Sequence, residues 1–161
     1  MRKKMGVLAA ALLLFFCAGC GQEAQLATLY DDEENLSNPY SNYSMDAGRQ
    51  ESDEQGTEGA FSRMNGMVMI WNYDAPGDSA MDIRYLLNVT GGSVKLVWIA
   101  PDKTVSTIVE IHGKAVMDDY AAISLPIKKG FNIIKLVGAG EADVEFEVKI
   151  GAGSFYNIKN K

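Results

Sequence analysis

Beyond Phe61 the hydrophobic positions recur with a period of two, which predicts strands with one buried face. Met67, Met69, Trp71 and Tyr73 fall on one face of a first strand, with Val68 and Ile70 on the other. Met81, Ile83, Tyr85, Leu87 and Val89 alternate with Asp82, Arg84, Leu86, Asn88 and Thr90, and Gly91-Gly92 then reads as a hairpin turn into Val94, Leu96, Trp98 and Ala100. Pro101-Asp102-Lys103 marks the next turn, followed by Val105, Thr107, Val109 and Ile111. Ile123 and Leu125 make a short strand that Pro126 pushes toward a sheet edge. Lys128-Lys129-Gly130 and Gly138-Ala139-Gly140 read as two further turns, the second leading into Val144, Phe146, Val148 and Ile150, which alternate with Glu145, Glu147 and Lys149. Seven or eight strands with turns at roughly 8–12-residue spacing predict an all-β domain over residues 64–161. The expected architecture is an antiparallel β-sandwich of immunoglobulin-like or jelly-roll type.

Charge divides the chain differently. Residues 1–20 carry Arg2, Lys3 and Lys4 and no acid; residues 21–60 carry ten acids against Arg49 alone; the remainder holds eleven of each sign. The net charge of −6 therefore belongs to the middle segment. Its scattered apolar residues (Leu26, Leu29, Leu36, Tyr40, Tyr43) and its Asn, Ser, Gln and Gly content predict a disordered acidic tether over residues 20–63. The neutral domain has no basic stripe, which argues against nucleic acid as a partner.

Residues 1–19 have the makings of a secretory signal: a basic start, an apolar run from Gly6 to Phe16, and small residues at Ala18-Gly19 before Cys20. The apolar run falls short of the roughly 20 residues that span a bilayer. Ala18-Gly19-Cys20 resembles the lipobox of bacterial lipoproteins, although Cys17 stands where that family usually has Leu. The resemblance implies cleavage before Cys20, diacylglycerol on its sulfur, and a domain held by lipid at the extracytoplasmic face of the cell membrane. Acyl chains supply about 0.8 kcal/mol per buried methylene, so a multiply acylated cysteine anchors without a spanning helix.

The supply of catalytic groups is thin. The domain has no cysteine, one histidine (His112), no Gly-x-Ser-x-Gly elbow and no phosphate loop, which predicts a non-enzyme without cofactor. Asp74 and Asp78 around Pro76-Gly77, with Asp118 and Asp119, are the candidate calcium ligands, although turn chemistry accounts for them without an ion. Trp71, Trp98 and Tyr120 are the candidate ligand-binding aromatics, although the register of both Trp also suits a core. The stretch Ile123-Ser124-Leu125-Pro126-Ile127-Lys128-Lys129-Gly130-Phe131-Asn132-Ile133-Ile134-Lys135-Leu136 resembles the strand, Gly-x-Asn, strand pattern of galactose-binding-like carbohydrate-binding modules. These features lead to two expectations: a non-catalytic envelope module that engages another envelope protein, or a module that holds polysaccharide at the cell surface.

Overall fold

A computed structural model describes residues 25–158. The signal segment 1–19 and Cys20 lie outside the described residues. Eight strands follow a 3-10 turn (Leu29–Asp31) and a one-turn helix α1 (Glu33–Leu36): β1 (Asn42–Ser44), β2 (Ala47–Ser52), β3 (Gly56–Ala75), β4 (Met81–Ile99), β5 (Val105–His112), β6 (Ala121–Leu125), β7 (Gly130–Ile150) and β8 (Ser154–Phe155). All pairings are antiparallel.

Three strands set the architecture. β3, β4 and β7 run 20, 19 and 21 residues, and a straight strand of that length would reach roughly 65 Å, too far for a domain of this size. They bend together instead. β3 bends between Arg63 and Gly66 (φ 50° and 103°), β4 at Gly92 (φ 71°), and β7 at Gly140-Glu141 (φ 69° and 55°). The β3–β7 and β4–β7 ladders change register at this line, between Phe61 and Gly66 on β3 and between Val89 and Ser93 on β4. Gly92 is needed there on two counts, because a Cβ would stand 2.6 Å from the Ala142 backbone and the positive φ disfavours L side chains. The corner is tied by Arg63, which pairs with Asp46 at 3.0 Å and Glu141 at 2.7 Å, and by Asp143, which accepts hydrogen bonds from the Arg63 amide and Ser62 hydroxyl.

The bend turns one sheet into a two-layer sandwich. The first layer has the order β2-β3-β7-β4-β6; the second is β3-β7-β4-β5, with β1 and β8 on the free edge of β3. Phe61, Ile83, Leu87, Val144, Phe146 and Val148 of the first layer face Val68, Ile70, Leu96, Trp98, Ile134 and Leu136 of the second across a common core. Phe61 and Phe146 meet at 5.0 Å between ring centroids.

Three expectations are corrected here. Gly91-Gly92 and Gly138-Ala139-Gly140 are not hairpin turns; each lies inside one continuous strand that passes from layer to layer. Trp71 leaves the Met67–Met69 face, because a bulge between Met69 and Trp71 places Ile70 and Trp71 side by side in the core. The tether is not disordered between residues 25 and 63. β1, β2 and the first part of β3 come from it, so the domain extends well upstream of residue 64. The acids that made this stretch look unfoldable stand on its solvent side: Asp31, Glu33 and Glu34 are exposed while Leu26, Leu29, Tyr30 and Leu36 are buried. Those four cover the outer face of the second layer, where Met67, Met69, Val97, Ile99, Ile133 and Val137 form a second apolar cluster.

Candidate functional site

The outer face of the first layer remains uncovered, and its side chains form rows across the strands. Glu51 of β2 stands opposite Glu58 of β3, Glu58 opposite Glu147 of β7, and Glu147 opposite Leu86 of β4. In the next row Arg49, Ala60, Glu145 and Asn88 follow one another in the same way. The twist of the sheet and the small side chains of Ala47, Gly48, Gly59 and Ala60 leave two adjoining depressions along these rows, of about 200 and 490 Å3, which share Arg49, Asn88 and Glu145 as lining. Like charges directly opposite on paired strands are destabilising by roughly 0.2–1 kcal/mol. Among the described residues Arg49, Glu51, Glu58 and Glu145 make no ion pair. The trough therefore offers carboxylates and a guanidinium free of ion pairs, beside the Asn88 amide, whose Oδ1 accepts from the Met117 backbone amide at 2.9 Å.

Tyr120 closes one end of this face. It is half-buried just before β6, with Arg84 Cζ 4.9 Å and Lys149 Nζ 4.7 Å from its ring centroid. Arg84 and Lys149 are cross-strand partners, so both cations rise from the sheet toward the ring. Lys149 donates to the Tyr120 hydroxyl at 3.0 Å and pairs with Glu147 at 2.7 Å. The hydrogen bond from Lys149 holds the Glu147 carboxyl below its ordinary range, and the same bond, followed by that to Tyr120, holds the Lys149 ammonium above its own. The ring is thus fixed in orientation at the rim of the trough.

Of the aromatic candidates only Tyr120 belongs to this surface. Trp71 is fully buried and donates its indole N–H to the Ala152 carbonyl at 2.7 Å, and Trp98 is 5% exposed in the same core. The calcium candidates are not brought together. Asp78 accepts from the Lys129 amide at 2.8 Å beyond the end of β6, whereas Asp118 and Asp119 precede its start, a strand length of roughly 16 Å away. Asp119 accepts from the Tyr120 amide, and Asp74 is exposed at the end of β3. Among the described residues no group of three or more His, Cys, Asp or Glu is arranged to hold a metal.

One alignment was not foreseen. Ser93 and His112 are cross-strand partners with Ser93 Oγ 3.1 Å from His112 Nδ1, and Glu110 Oε1 lies 3.5 Å from His112 Nε2. Serine, imidazole and carboxylate in line are the parts of an acyl-transfer site. Here the imidazole is 69% exposed and neither depression reaches it, so water competes for every bond in the line. The missed feature of the sequence is the run of Arg49, Glu51 and Glu58, whose alternation marks a hairpin displaying them on one face.

No protein-family model matches the chain, and no curated protein matches it. Solved structures share its backbone shape distantly. An exo-β-1,3-galactanase from Phanerochaete chrysosporium, solved with galactose, has 12% identity and a TM-score of 0.37 over 69% of this chain, which spans only 29% of the galactanase. A family 35 carbohydrate-binding module from an environmental isolate has 14% identity and a TM-score of 0.30, covering 77% of this chain and 86% of the module. A cupin domain from Bordetella pertussis has 14% identity and a TM-score of 0.26, covering 71% and 97%.

Proposed function

We propose that this chain is a lipid-anchored, non-catalytic binding module of the bacterial cell envelope, which engages its ligand through the open trough on the first layer. The observation that supports this is the trough itself: a flat, exposed sheet face carrying unpaired carboxylates, Arg49 and Asn88, retained at the cost of like-charge neighbours. The anchor rests on the lipobox-type residues before Cys20. Cys20 is six residues from Leu26, the first buried residue described, so the linking chain can reach about 20 Å at most. On this proposal the domain rides close above the bilayer and not at the end of a long tether.

The polysaccharide alternative draws on one feature, the Tyr120 ring held at the rim beside Glu147, on the same sheet face as Asn88 and Glu145. Carboxylates and amides hydrogen-bond vicinal hydroxyls, and the C–H face of a sugar ring packs on an aromatic. The test titrates the purified domain with envelope polysaccharide fractions and with envelope extracts, comparing wild type with Glu145→Lys, Arg49→Glu and Tyr120→Ala. Binding weakened at least tenfold by the first two supports the trough; equal loss with Tyr120→Ala and a polysaccharide as the bound species supports the alternative. Binding indifferent to all three overturns both. The anchor is checked separately by intact mass and detergent partitioning of wild type against Cys20→Ser.

A further inference from the structure

Residues 25–41 sit on the second layer as a bound peptide would. Their backbone hydrogen bonds close on themselves: the Asp32 amide to Leu29, Leu36 to Asp32, Ser37 to Glu33, and Asn38 to Asn35. Among the described residues none of their backbone groups joins the backbone of the sheet. The polar ties to the sheet come from side chains. Lys95 reaches up from β4 to Asp31 at 3.2 Å and lies 4.3 Å from the centre of the Tyr30 ring. Lys135, fully buried on β7, donates to the carbonyls of Asn38 at 2.5 Å and Tyr40 at 2.9 Å, and Ser41 accepts the Met69 amide at 2.9 Å. The remainder of the contact is apolar, with Leu26, Leu29 and Tyr30 at helical spacing and Leu36 beyond them, seated on the Met, Val and Ile side chains of the sheet.

This interface differs from the core between the layers. It holds two buried ammonium groups, Lys95 and Lys135, whereas the cluster between the layers is built of apolar and aromatic side chains. Burial also pushes the Lys135 ammonium down to about 8. A core pays for such groups only by losing stability, whereas a groove that must recognise an acidic, apolar segment uses them for register and charge matching.

We propose that the outer face of the second layer is a docking groove for an amphipathic acidic peptide segment, and that residues 25–41 are its resident occupant in cis, replaceable by the same segment of a second copy. The polar match supports that occupant: the Lys95 ammonium meets the Asp31 carboxylate, and the Lys135 ammonium meets the carbonyls of Asn38 and Tyr40 at the far end of the segment. The recognition mode is a helix laid in a groove by spaced apolar anchors.

The test opens the groove in the full chain with Leu29→Asp plus Leu36→Asp and follows amide hydrogen exchange, together with binding of a labelled synthetic peptide of residues 25–41. The expected result is exchange of the strap amides at least 100-fold faster with the β3, β4 and β7 core amides unchanged. Peptide affinity for the opened variant should be at least tenfold tighter than for wild type, and adding Lys135→Glu should abolish it. Collapse of core protection together with the strap, or peptide affinity no better than for wild type, overturns the proposal. Lys95→Met, which removes the ion pair with Asp31, serves as the milder variant: strap exchange accelerated alone supports the groove, and core and strap accelerated together speak against it.

Discussion

The same three strands behave differently on the two sides of their bend. In the first layer they alternate strictly: Glu58, Glu145 and Glu147 face out while Phe61, Val144, Phe146 and Val148 face in. In the second layer they are buried on both faces, through Met67 to Trp71, Val94 to Ala100 and Asn132 to Val137. A one-sided pattern means solvent on the other side, and a run buried on both faces means that something covers it. The cover here is local and acidic. The comparison shows that an acidic segment of modest hydrophobicity can be structured when the sheet it meets supplies the missing apolar partner.

The largest test of this contrast is removal of residues 22–60, which takes the cover, β1, β2 and the start of β3. The expected outcome is loss of any cooperative thermal transition, measured by calorimetry; a disordered tether would leave the midpoint unchanged. Next, Phe146→Ala opens a cavity beneath the first layer and should cost about 3–5 kcal/mol in chemical denaturation. Leu36→Ala in the cover should instead act on strap exchange, with a smaller shift in the global midpoint.

A pH experiment sharpens the difference further. The Lys135 ammonium titrates at about 8 in the folded protein and near its ordinary value of 10.5 when unfolded. Between those values the unfolded chain binds more protons, so stability rises with pH, and the burial penalty is fully present below about 8. Denaturation at pH 7.5 and 9.5 should show wild type gaining on Lys135→Met as pH increases; a constant gap would mean that Lys135 is solvated. The smallest effect belongs to the open face. Glu58→Lys relieves the Glu51–Glu58–Glu147 row and should raise stability by about 0.5 kcal/mol while weakening any ligand of the trough.

Much of this was legible in the sequence. The alternation of Met81–Val89 and of Val144–Ile150 marked inward and outward faces, and the fold class follows from it. The glycine pairs were legible as backbone breaks but not as bends, because a positive-φ glycine serves a hairpin and a layer-crossing strand equally well. The Met69–Trp71 bulge left no local mark, since one residue inserted in a ladder changes facing without changing composition. For the trough, Glu145 and Glu147 were visible as a solvated edge. Their neighbours Arg49, Glu51 and Glu58 were hidden by averaging over forty residues of mixed character. The signal against disorder lay elsewhere, in Val97-Trp98-Ile99 and Ile133-Ile134, whose apolar runs leave one face in need of a covering segment.

The position of β7 has a consequence for how the chain is made. β7 lies between β3 and β4 in both layers, and it ends at Ile150. Neither half of the sandwich can close while only the first 129 residues have been synthesised, because β3 and β4 have no ladder to each other. Commitment to the sandwich therefore waits for β7, the one strand that pairs with both β3 and β4.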